Sequence, residues 1–248
     1  MLAIIGGSGM TQLSCLEISR RQIIRTPYGE PSGPLTFGTI KDQPIVFLAR
    51  HGHGHTIPPH AINYRANMWA LHSIKPTHVI AVAAVGGIQA DLTPGKLVLP
   101  DQIIDYTYGR AFTFFDETDQ PVTHIDFTNP YRQTTRQSIL TAAHKANESI
   151  IDGGVYAATQ GPRLETAAEI NRLERDGADM VGMTGMPETA LARELDLNYA
   201  TIAIVANAAA GRGANVDAIP LKEIYAVLDQ AMGRVRNILE HLADCDGD

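Results

Sequence analysis

Histidines are concentrated in one short stretch that follows an apolar run. Four of the nine histidines lie between residues 51 and 60, and the stretch opens with Arg50-His51-Gly52-His53-Gly54-His55. Alternating histidines of an extended chain point to one side and can bind zinc or iron, but no Asp stands between His51 and His60. An arginine fork beside a histidine instead suits an oxyanion, with the histidine as a further donor. An oxyanion site therefore ranks first, a metal site second, and an exposed Gly/His loop is the plain structural alternative.

Two glycine-rich turns also follow apolar runs: Ile4-Ile5-Gly6-Gly7-Ser8-Gly9 and Val82-Ala83-Ala84-Val85-Gly86-Gly87. Glycine lets the backbone turn tightly and expose N–H groups to an anion, and Ser8 adds a hydroxyl. The dinucleotide motif G-x-G-x-x-G would need a glycine where Gln12 stands. Both turns are thus candidate ligand sites, with an ordinary tight turn and a strand end as the alternatives.

Three later segments place a polar side chain beside an apolar run: residues 160–166, 182–188 and 205–211. Glu165 lies just before a predicted helix, and stabilisation of the helix N-terminus is its structural alternative. Thr184 precedes a helix whose first N–H groups can bind an anion, although ordinary capping explains it equally well. Asn207 follows an apolar run, at the edge of the sheet where α/β proteins bind ligands, and a turn is its alternative.

The elements that must position these residues alternate between apolar runs and amphipathic patterns. The predicted strands are 2–5, 45–49, 79–85, 96–104, 154–158, 180–183 and 199–206, and the predicted helices are 61–73, 133–148, 166–176, 187–195 and 221–242. Most strands lack strict alternation, which is typical of a sheet covered on both faces. We therefore expect one α/β domain over residues 1–248, a three-layer sandwich with a central mixed sheet flanked by helices. The irregular segment 106–130 is long enough to be functional or to form an interface.

Composition argues against several classes of protein. There are 20 Lys and Arg against 27 Asp and Glu, a formal charge of −7, which disfavours binding to nucleic acid or to an acidic membrane. No apolar run approaches the ~20 residues that span a bilayer, and the amino terminus does not look like a signal peptide. Two cysteines, Cys15 and Cys245, are too few for a disulfide scaffold, so we expect reduced thiols and a cytoplasmic protein.

Taken together, the motifs resemble those of the trimeric purine nucleoside phosphorylase family, in its methylthioadenosine phosphorylase branch. The similarity covers nearly the whole chain and is strongest in IIGGSG, LARHGHGHTIPPHAINYRANMWAL, LTPGKLVLPDQIID, QGPRLET and GADMVGMTGMPETALARE. The resemblance implies that inorganic phosphate cleaves a nucleoside N-glycosidic bond without a metal or an organic cofactor. It also implies a homotrimer.

The resemblance also suggests which residues form the site. Met183 would lie beneath the ribose, Leu164 would pack against the base where relatives often carry an aromatic, and His124 would reach a neighbouring subunit's site. Relatives often have hydroxyl side chains where Val82 and Ala83 stand, so backbone N–H groups would have to serve there. The implied phosphate site consists of Ser8, Arg50, His51, the Ala83-Ala84 backbone and Thr184.

The chemistry of the base-reading residues favours a 6-oxopurine. Many adenine-specific relatives have Asp-x-Asp where this chain has Asn207 and Ala209. An Asn amide can accept N7–H of the departing purine and donate to a 6-oxo group, and an ionised Glu165 accepts N1–H. Relatives that use ordinary nucleosides often place a histidine early in the last helix, whereas Leu221 and Ile224 would form an apolar wall for a 5′-methylthio group.

The predicted substrate is therefore methylthioinosine, with hypoxanthine and 5-methylthioribose 1-phosphate as products. Arg50, His51, Asn207 and Glu165 are the predicted catalytic residues. Within the family, methylthioadenosine or general 6-oxopurine nucleosides are the alternative substrates, and the use of guanine nucleosides stays open. From other classes, the histidine cluster suggests a metal hydrolase, and a noncatalytic nucleoside-binding module is a third possibility.

Overall fold

The computed structural model describes residues 1–10, 13–116, 118–119, 121–213, 215 and 221–245, without the side chains of 221–223, 244 and 245. The strands in this part of the chain are β1 (Leu2–Gly6), β2 (Glu17–Gln22), β3 (Leu35–Ile40), β4 (Gln43–Ala49), β5 (His78–Gly87), β6 (Leu97–Leu99), β7 (Gln102–Asp105), β8 (Ile151–Asp152), β9 (Val155–Ala158), β10 (Met180–Gly182) and β11 (Tyr199–Ala208). The helices are α1 (Tyr64–Ser73), α2 (Gln133–Lys145), α3 (Ala167–Arg175), α4 (Gly185–Glu194) and α5 (Leu221–Cys245).

One mixed sheet joins these strands. Its main path runs β2-β3-β4-β1-β5-β10-β9-β7, with β11 paired to β5 and β6, and β8 paired to β6. The centre is parallel, because β1 pairs in this sense with β4 and β5, and β5 does so with β11. β10 runs antiparallel to β5. The predicted mixed sheet is confirmed.

Side chains that alternate along β1 show why the fold has three layers. Leu2 and Ile4 belong to a buried cluster that also contains side chains of α2 and α5. Ala3 and Ile5 face the opposite side, where they join a cluster with side chains of α1 and α4. Both faces of the sheet are therefore covered, which explains why its central strands are apolar at every position.

Most predicted elements are present with shifted ends. The predicted run 96–104 is two strands, β6 and β7, separated by Pro100 and Asp101. Helix α1 begins after Asn63, whose side chain accepts a hydrogen bond from Ala66 N, and a short 3-10 turn over Pro59–Ala61 occupies the predicted helix start. Helix α3 begins with the predicted capping box of Thr166 and Glu169.

Three strands were not predicted from the sequence. β2 is exposed along its whole length and lies at the sheet edge, so it shows no apolar pattern. β3 pairs with β2 and β4 as part of an antiparallel meander. β8 has only two residues, which is too short for any periodic signal.

The segment from 106 to 130 is irregular, as the sequence predicts. Its described residues form neither helix nor strand. Hydrogen bonds attach it to the end of α4, where Thr113 Oγ1 and Phe114 N each donate to the Glu194 carboxylate over 2.7 Å. Among the helices of the described residues, none is both long and apolar enough to cross a membrane.

Candidate active site

One pocket lies where β1, β4 and β10 end and where β5 and β11 approach their carboxyl ends. Its cavity volume is about 180 Å³. The sequence-predicted residues that line it are Ser8, Arg50, His51, Ala83, Ala84, Leu164, Glu165, Met183, Thr184, Asn207, Ala209 and Ile224. Residues more than 200 positions apart, such as Ser8 and Ile224, are thus brought to one edge of the sheet, as the strand-end argument predicts.

Arg50 follows β4 and is the most deeply buried cation of the pocket, with 1% of its surface exposed. Its Nε and Nη2 donate to the two carboxylate oxygens of Glu188 over 2.6 and 2.8 Å, and its Nη1 donates to Val82 O over 2.9 Å. Burial opposes the cation, but the charge and hydrogen bonds of Glu188 outweigh it and raise the pKa of Arg50 above its usual value.

This pairing changes the role that the sequence suggested for the Arg50 fork. The fork binds Glu188 rather than standing open for an oxyanion. A guanidinium has five N–H donors, so one N–H on Nη1 and one on Nη2 remain to reach a ligand in the pocket. Tyr199 OH donates to Glu188 as well, over 2.8 Å, and completes a buried network that fixes the arginine.

His51 is oriented by the backbone. Its Nδ1 lies 2.8 Å from Ile57 O, and because a carbonyl only accepts, Nδ1 carries the proton. Burial first, and then the charges of Arg50 and His55, lower the pKa of His51 to about 4. In the neutral ring Nε2 is therefore an acceptor, which corrects the expectation that this histidine donates to the oxyanion.

Two hydroxyl side chains complete this end of the pocket. Thr184 is the residue before α4, yet its side chain makes no capping hydrogen bond, so the hydroxyl is not used as ordinary capping would require. Ser8 Oγ lies 3.5 Å from His55 Nε2. A side chain at Gly7 would meet Val82 O at 2.5 Å, so glycine lets the turn after β1 approach β5 closely.

The second end of the pocket carries the amide, because Asn207 pairs with Gly86 of β5, four residues beyond the Val82 carbonyl that accepts from Arg50. The carboxylate of Glu165 lines the same pocket. Thr159 Oγ1 donates to Glu165 Oε1 over 2.6 Å, which leaves Oε2 for a ligand. Asn207 follows a register shift in β11, a bulge of the kind that redirects a side chain. Its Nδ2 donates to Ala208 O over 2.6 Å, so one N–H and the amide oxygen remain.

Two predicted site residues lie elsewhere. His124 is exposed and does not line the pocket of its own chain, so its expected contact in a neighbouring subunit stays a prediction. The Leu221 side chain lies outside the described residues. Among those that are described, no group of three or more His, Cys, Asp or Glu side chains is placed to hold a metal ion, so the metal-hydrolase alternative gains no support.

Comparison with known proteins agrees with this geometry. The profile of the phosphorylase superfamily matches residues 1–244. The chain belongs to the phosphorylase superfamily. It is 51% identical over 237 residues to a probable S-methyl-5′-thioinosine phosphorylase of Pseudomonas syringae pv. tomato, covering 96% of each chain. It is 47% identical over 215 residues to a 6-oxopurine nucleoside phosphorylase of Pyrococcus furiosus, covering 85% of this chain and 80% of that one.

A solved structure extends the match to the fold. Methylthioadenosine phosphorylase from Schistosoma mansoni in complex with adenine superposes with a TM-score of 0.93 at 33% identity, covering 99% of this phosphorylase and 91% of that chain. The predicted family and the α/β architecture are confirmed.

Sequence reasoning missed several residues that shape the site of this phosphorylase. Glu188 lies in the segment GMTGMPET, but its partner Arg50 is 138 positions away. The sequence alone therefore predicts only that Glu188 stabilises the first turn of a helix. Thr159 sits at the end of β9, just before the quoted segment that contains Glu165. Tyr225 lines the pocket although it is 67% exposed, and it adjoins the predicted Ile224.

Proposed function

We propose that this phosphorylase cleaves methylthioinosine with inorganic phosphate and releases hypoxanthine and 5-methylthioribose 1-phosphate, a step of purine salvage. One observation carries the proposal. A single pocket is lined by Arg50, His51 and Thr184 together with the free amide and carboxylate atoms of Asn207 and Glu165. Arg50 contacts β5 at Val82, whereas Asn207 pairs with Gly86, four residues further along the same strand. That spacing suits an anion held below a sugar whose base is a keto-purine.

At the first end, the fixed groups hold phosphate against C1′ of the ribose. The two free N–H groups of Arg50, the Thr184 and Ser8 hydroxyls and the Ala83-Ala84 backbone are the donors. His51 Nε2 accepts from the remaining O–H of hydrogen phosphate. Such positioning makes the attack effectively intramolecular, and the phosphate charge stabilises an oxocarbenium-like ribosyl group. An O–C1′ bond forms as the C1′–N9 bond breaks, and the bonding electron pair leaves with the purine. The purine takes up a proton at N7 from solvent, and the hydrogen phosphate gives up its proton to solvent as the sugar phosphate forms.

At the second end, hydrogen-bond polarity selects the base. Asn207 Oδ1 accepts from N7–H of the departing purine while its free Nδ2 N–H donates to O6. Glu165 Oε2 accepts N1–H of a 6-oxopurine, whereas adenine would present a lone pair to the carboxylate. A mispaired buried polar group costs about 1–3 kcal/mol, so two such contacts favour hypoxanthine over adenine. The curated relatives named for thioinosine and for 6-oxopurine nucleosides support this choice.

The sugar contacts support a 5′-methylthio group. Met183 lines the pocket between the two ends, where the ribose would lie. Ile224 lines it near the beginning of α5 and presents an apolar surface. An apolar wall binds a thioether better than a hydroxyl, because a buried hydroxyl without a partner is unfavourable.

A broader 6-oxopurine nucleoside phosphorylase is the second candidate, and Tyr225 is the observation that favours it. Its ring lines the same pocket beside Ile224. A phenol can donate to or accept from a 5′-hydroxyl, which would admit inosine. The two candidates differ in the ratio of kcat/KM for methylthioinosine to that for inosine.

We also infer a homotrimer that acts in the cytoplasm and needs neither metal nor organic cofactor, with nucleoside and phosphate as its small-molecule partners. The family resemblance supports the trimer, and His124 would enter the site of a neighbouring subunit. The net charge of −7 supports the absence of nucleic-acid and membrane partners.

The decisive experiment is a phosphate-dependent assay that compares methylthioinosine, methylthioadenosine, inosine and guanosine. We expect the highest kcat/KM for methylthioinosine and no cleavage without phosphate. Equal efficiency on inosine would support the broader phosphorylase instead. Equal cleavage in phosphate-free buffer, or a preference for methylthioadenosine, would contradict the proposal.

A further inference from the structure

Among the described residues of the irregular segment 106–130, Arg110 is the one whose charged group is buried in the body of the protein. It is 8% exposed. Its guanidinium lies within hydrogen-bond distance of six oxygen atoms: Thr159 O, Gln160 O, Gln160 Oε1, Met183 O, Met186 O and Tyr64 OH. All six are neutral oxygens, whereas Nε and Nη2 of the buried Arg50 donate to a carboxylate.

Five of these oxygens belong to two segments, 159–160 and 183–186, which lie next to residues that line the pocket. Thr159 and Gln160 lead into the loop of Glu165, and Arg110 Nη2 donates to their carbonyls over 3.2 and 2.9 Å. Met183 borders the sugar position, and Arg110 Nη1 donates to its carbonyl over 2.9 Å. One planar group therefore joins the purine-reading loop to the turn that carries Met183 and Thr184.

The guanidinium also donates to backbone carbonyls of two loops. The carbonyl of Met183 ends the turn before α4, and that of Gln160 lies between β9 and α3. Neither loop has a sheet ladder in which to pair these groups. Leaving these part-buried carbonyls without a partner is unfavourable, so removing Arg110 would favour rearrangement of both loops.

The segment around Arg110 is fastened so that the guanidinium stays in place. Tyr108 N donates to Gln160 Oε1 over 3.1 Å, the same oxygen that receives Arg110 Nε. Further along, Glu194 of α4 accepts from Thr113 and Phe114. Arg110 is thus tied on one side to the loop it holds and on the other to α4.

We propose that Arg110 is a positioning residue that sets the distance between the purine-reading loop and the phosphate-side turn. This inference rests on the proposed function, because the two segments must hold base and phosphate at once for the glycosidic bond to break. Arg110 itself touches neither substrate. It acts through Glu165 on one side and through Met183 and Thr184 on the other.

Substitution of Arg110 tests the proposal through the split between kcat and KM. We expect Arg110→Ala to lower kcat/KM for methylthioinosine about 100-fold, because a misplacement of about 1 Å can cost that much. Much of the loss should lie in kcat, because nucleoside and phosphate would still bind to their own side chains but would be held at the wrong distance from each other. Arg110→Lys should fall between the two proteins, because an ammonium lacks the planar fork.

Arg136 offers a matched control. It is also buried, at 5% exposed, and donates to backbone carbonyls at Leu99 and Pro100, away from the pocket. Arg136→Ala should lower the melting temperature yet leave kcat per folded molecule unchanged. Guanidinium chloride below unfolding concentrations should restore activity to Arg110→Ala relative to the same concentration of NaCl, and should leave Arg136→Ala unaffected.

Hydrogen exchange provides a readout that needs no activity. In Arg110→Ala, amides of residues 159–165 and 183–187 should both exchange faster, whereas Arg136→Ala should leave both protected. Wild-type protein that fails to cleave nucleosides would defeat the proposed function, and the exchange data would still decide the role of Arg110. Unchanged exchange in both segments, or a kcat loss no larger than that of Arg136→Ala, would overturn the inference.

Discussion

The two ends of the pocket are built differently. At the phosphate end, Arg50, His51 and Thr184 are 1%, 6% and 8% exposed, and the first two are held by hydrogen bonds within the protein. At the other end, where the base and the 5′ group are proposed to bind, Leu164 is 36% exposed and Tyr225 is 67% exposed. Glu165, which is proposed to bind the purine, lies on the loop between β9 and α3.

This difference separates the part of the reaction that every substrate shares from the part that distinguishes substrates. Phosphate is common to all of them, so its donors can be built into the rigid core at the ends of central strands. The base and the 5′ group vary, and apart from Asn207 in β11 their contacts lie on more exposed elements, where substitution disturbs the fold less. The comparison predicts that changes at the first end affect stability and phosphate use together, while changes at the second mainly alter specificity.

The largest effect should follow removal of Arg50. Arg50→Ala leaves Glu188 buried without its cation, and breaking one partner of such a pair costs about 3–5 kcal/mol. We expect a corresponding loss in urea unfolding together with a sharply raised KM for phosphate. Normal phosphate saturation in this variant would remove Arg50 from the site.

A paired substitution separates the two roles of Arg50. Replacing both members, as in Arg50→Met with Glu188→Leu, should recover much of the lost stability, because apolar replacement of a buried ion pair is often neutral or favourable. Phosphate use should stay impaired. Recovery of both stability and phosphate use would contradict the comparison, because it would show that Arg50 and Glu188 have only a structural role.

The same pair shows how far the sequence could predict this molecule. The central strands were predictable because apolar runs without alternation indicate a doubly covered sheet, and the pocket was predictable because such strands end together. Glu188 was not, since its partner lies 138 positions away and a glutamate in the first turn of a helix has an ordinary explanation. β2 was missed because an exposed edge strand carries no apolar pattern.

Side-chain chemistry was predictable only as far as residue type determines it. Asn207 and Glu165 could be chosen because an amide and a carboxylate have fixed hydrogen-bond polarity. The sequence could not show that Asn207 already spends one N–H on Ala208 O. Nor could it show that His51 Nδ1 faces Ile57 O, which reverses the role of the other ring nitrogen.

A pH titration of stability sharpens the comparison at His51. Its pKa is lowered from 6.5 to about 4 in the folded protein. Between these two pH values the unfolded chain therefore binds a proton at His51 that the folded chain does not bind. The resulting stabilisation is present in full above pH 6.5 and is lost as the pH falls towards 4, by about 3 kcal/mol in all.

A variant isolates that contribution from other titrating groups. The difference in free energy of unfolding between wild type and His51→Gln should shrink by about 3 kcal/mol between pH 7 and pH 4. The matched control is His241→Gln, because His241 Nδ1 also faces a backbone carbonyl, Asn237 O at 2.8 Å, but lies outside the pocket. A pH-independent difference for His51 would show that its ring is not held neutral.

The smallest effect on stability is expected at the purine end, where specificity should change with little loss of stability. Asn207→Asp replaces the donor to O6 with an acceptor, which suits a 6-amino group, and each repaired or broken hydrogen bond shifts the balance by about 1–3 kcal/mol. We expect the ratio of kcat/KM for methylthioadenosine to that for methylthioinosine to rise about tenfold or more, since about 1.4 kcal/mol corresponds to a factor of ten. The new carboxylate cannot donate to Ala208 O as the amide does, so the melting temperature should fall slightly. Asn215→Asp is the matched control, because Asn215 donates to the same Ala208 O over 2.6 Å without lining the pocket. An unchanged substrate ratio in Asn207→Asp, or an equal change in Asn215→Asp, would place base selection elsewhere and remove the functional half of the contrast between the two ends.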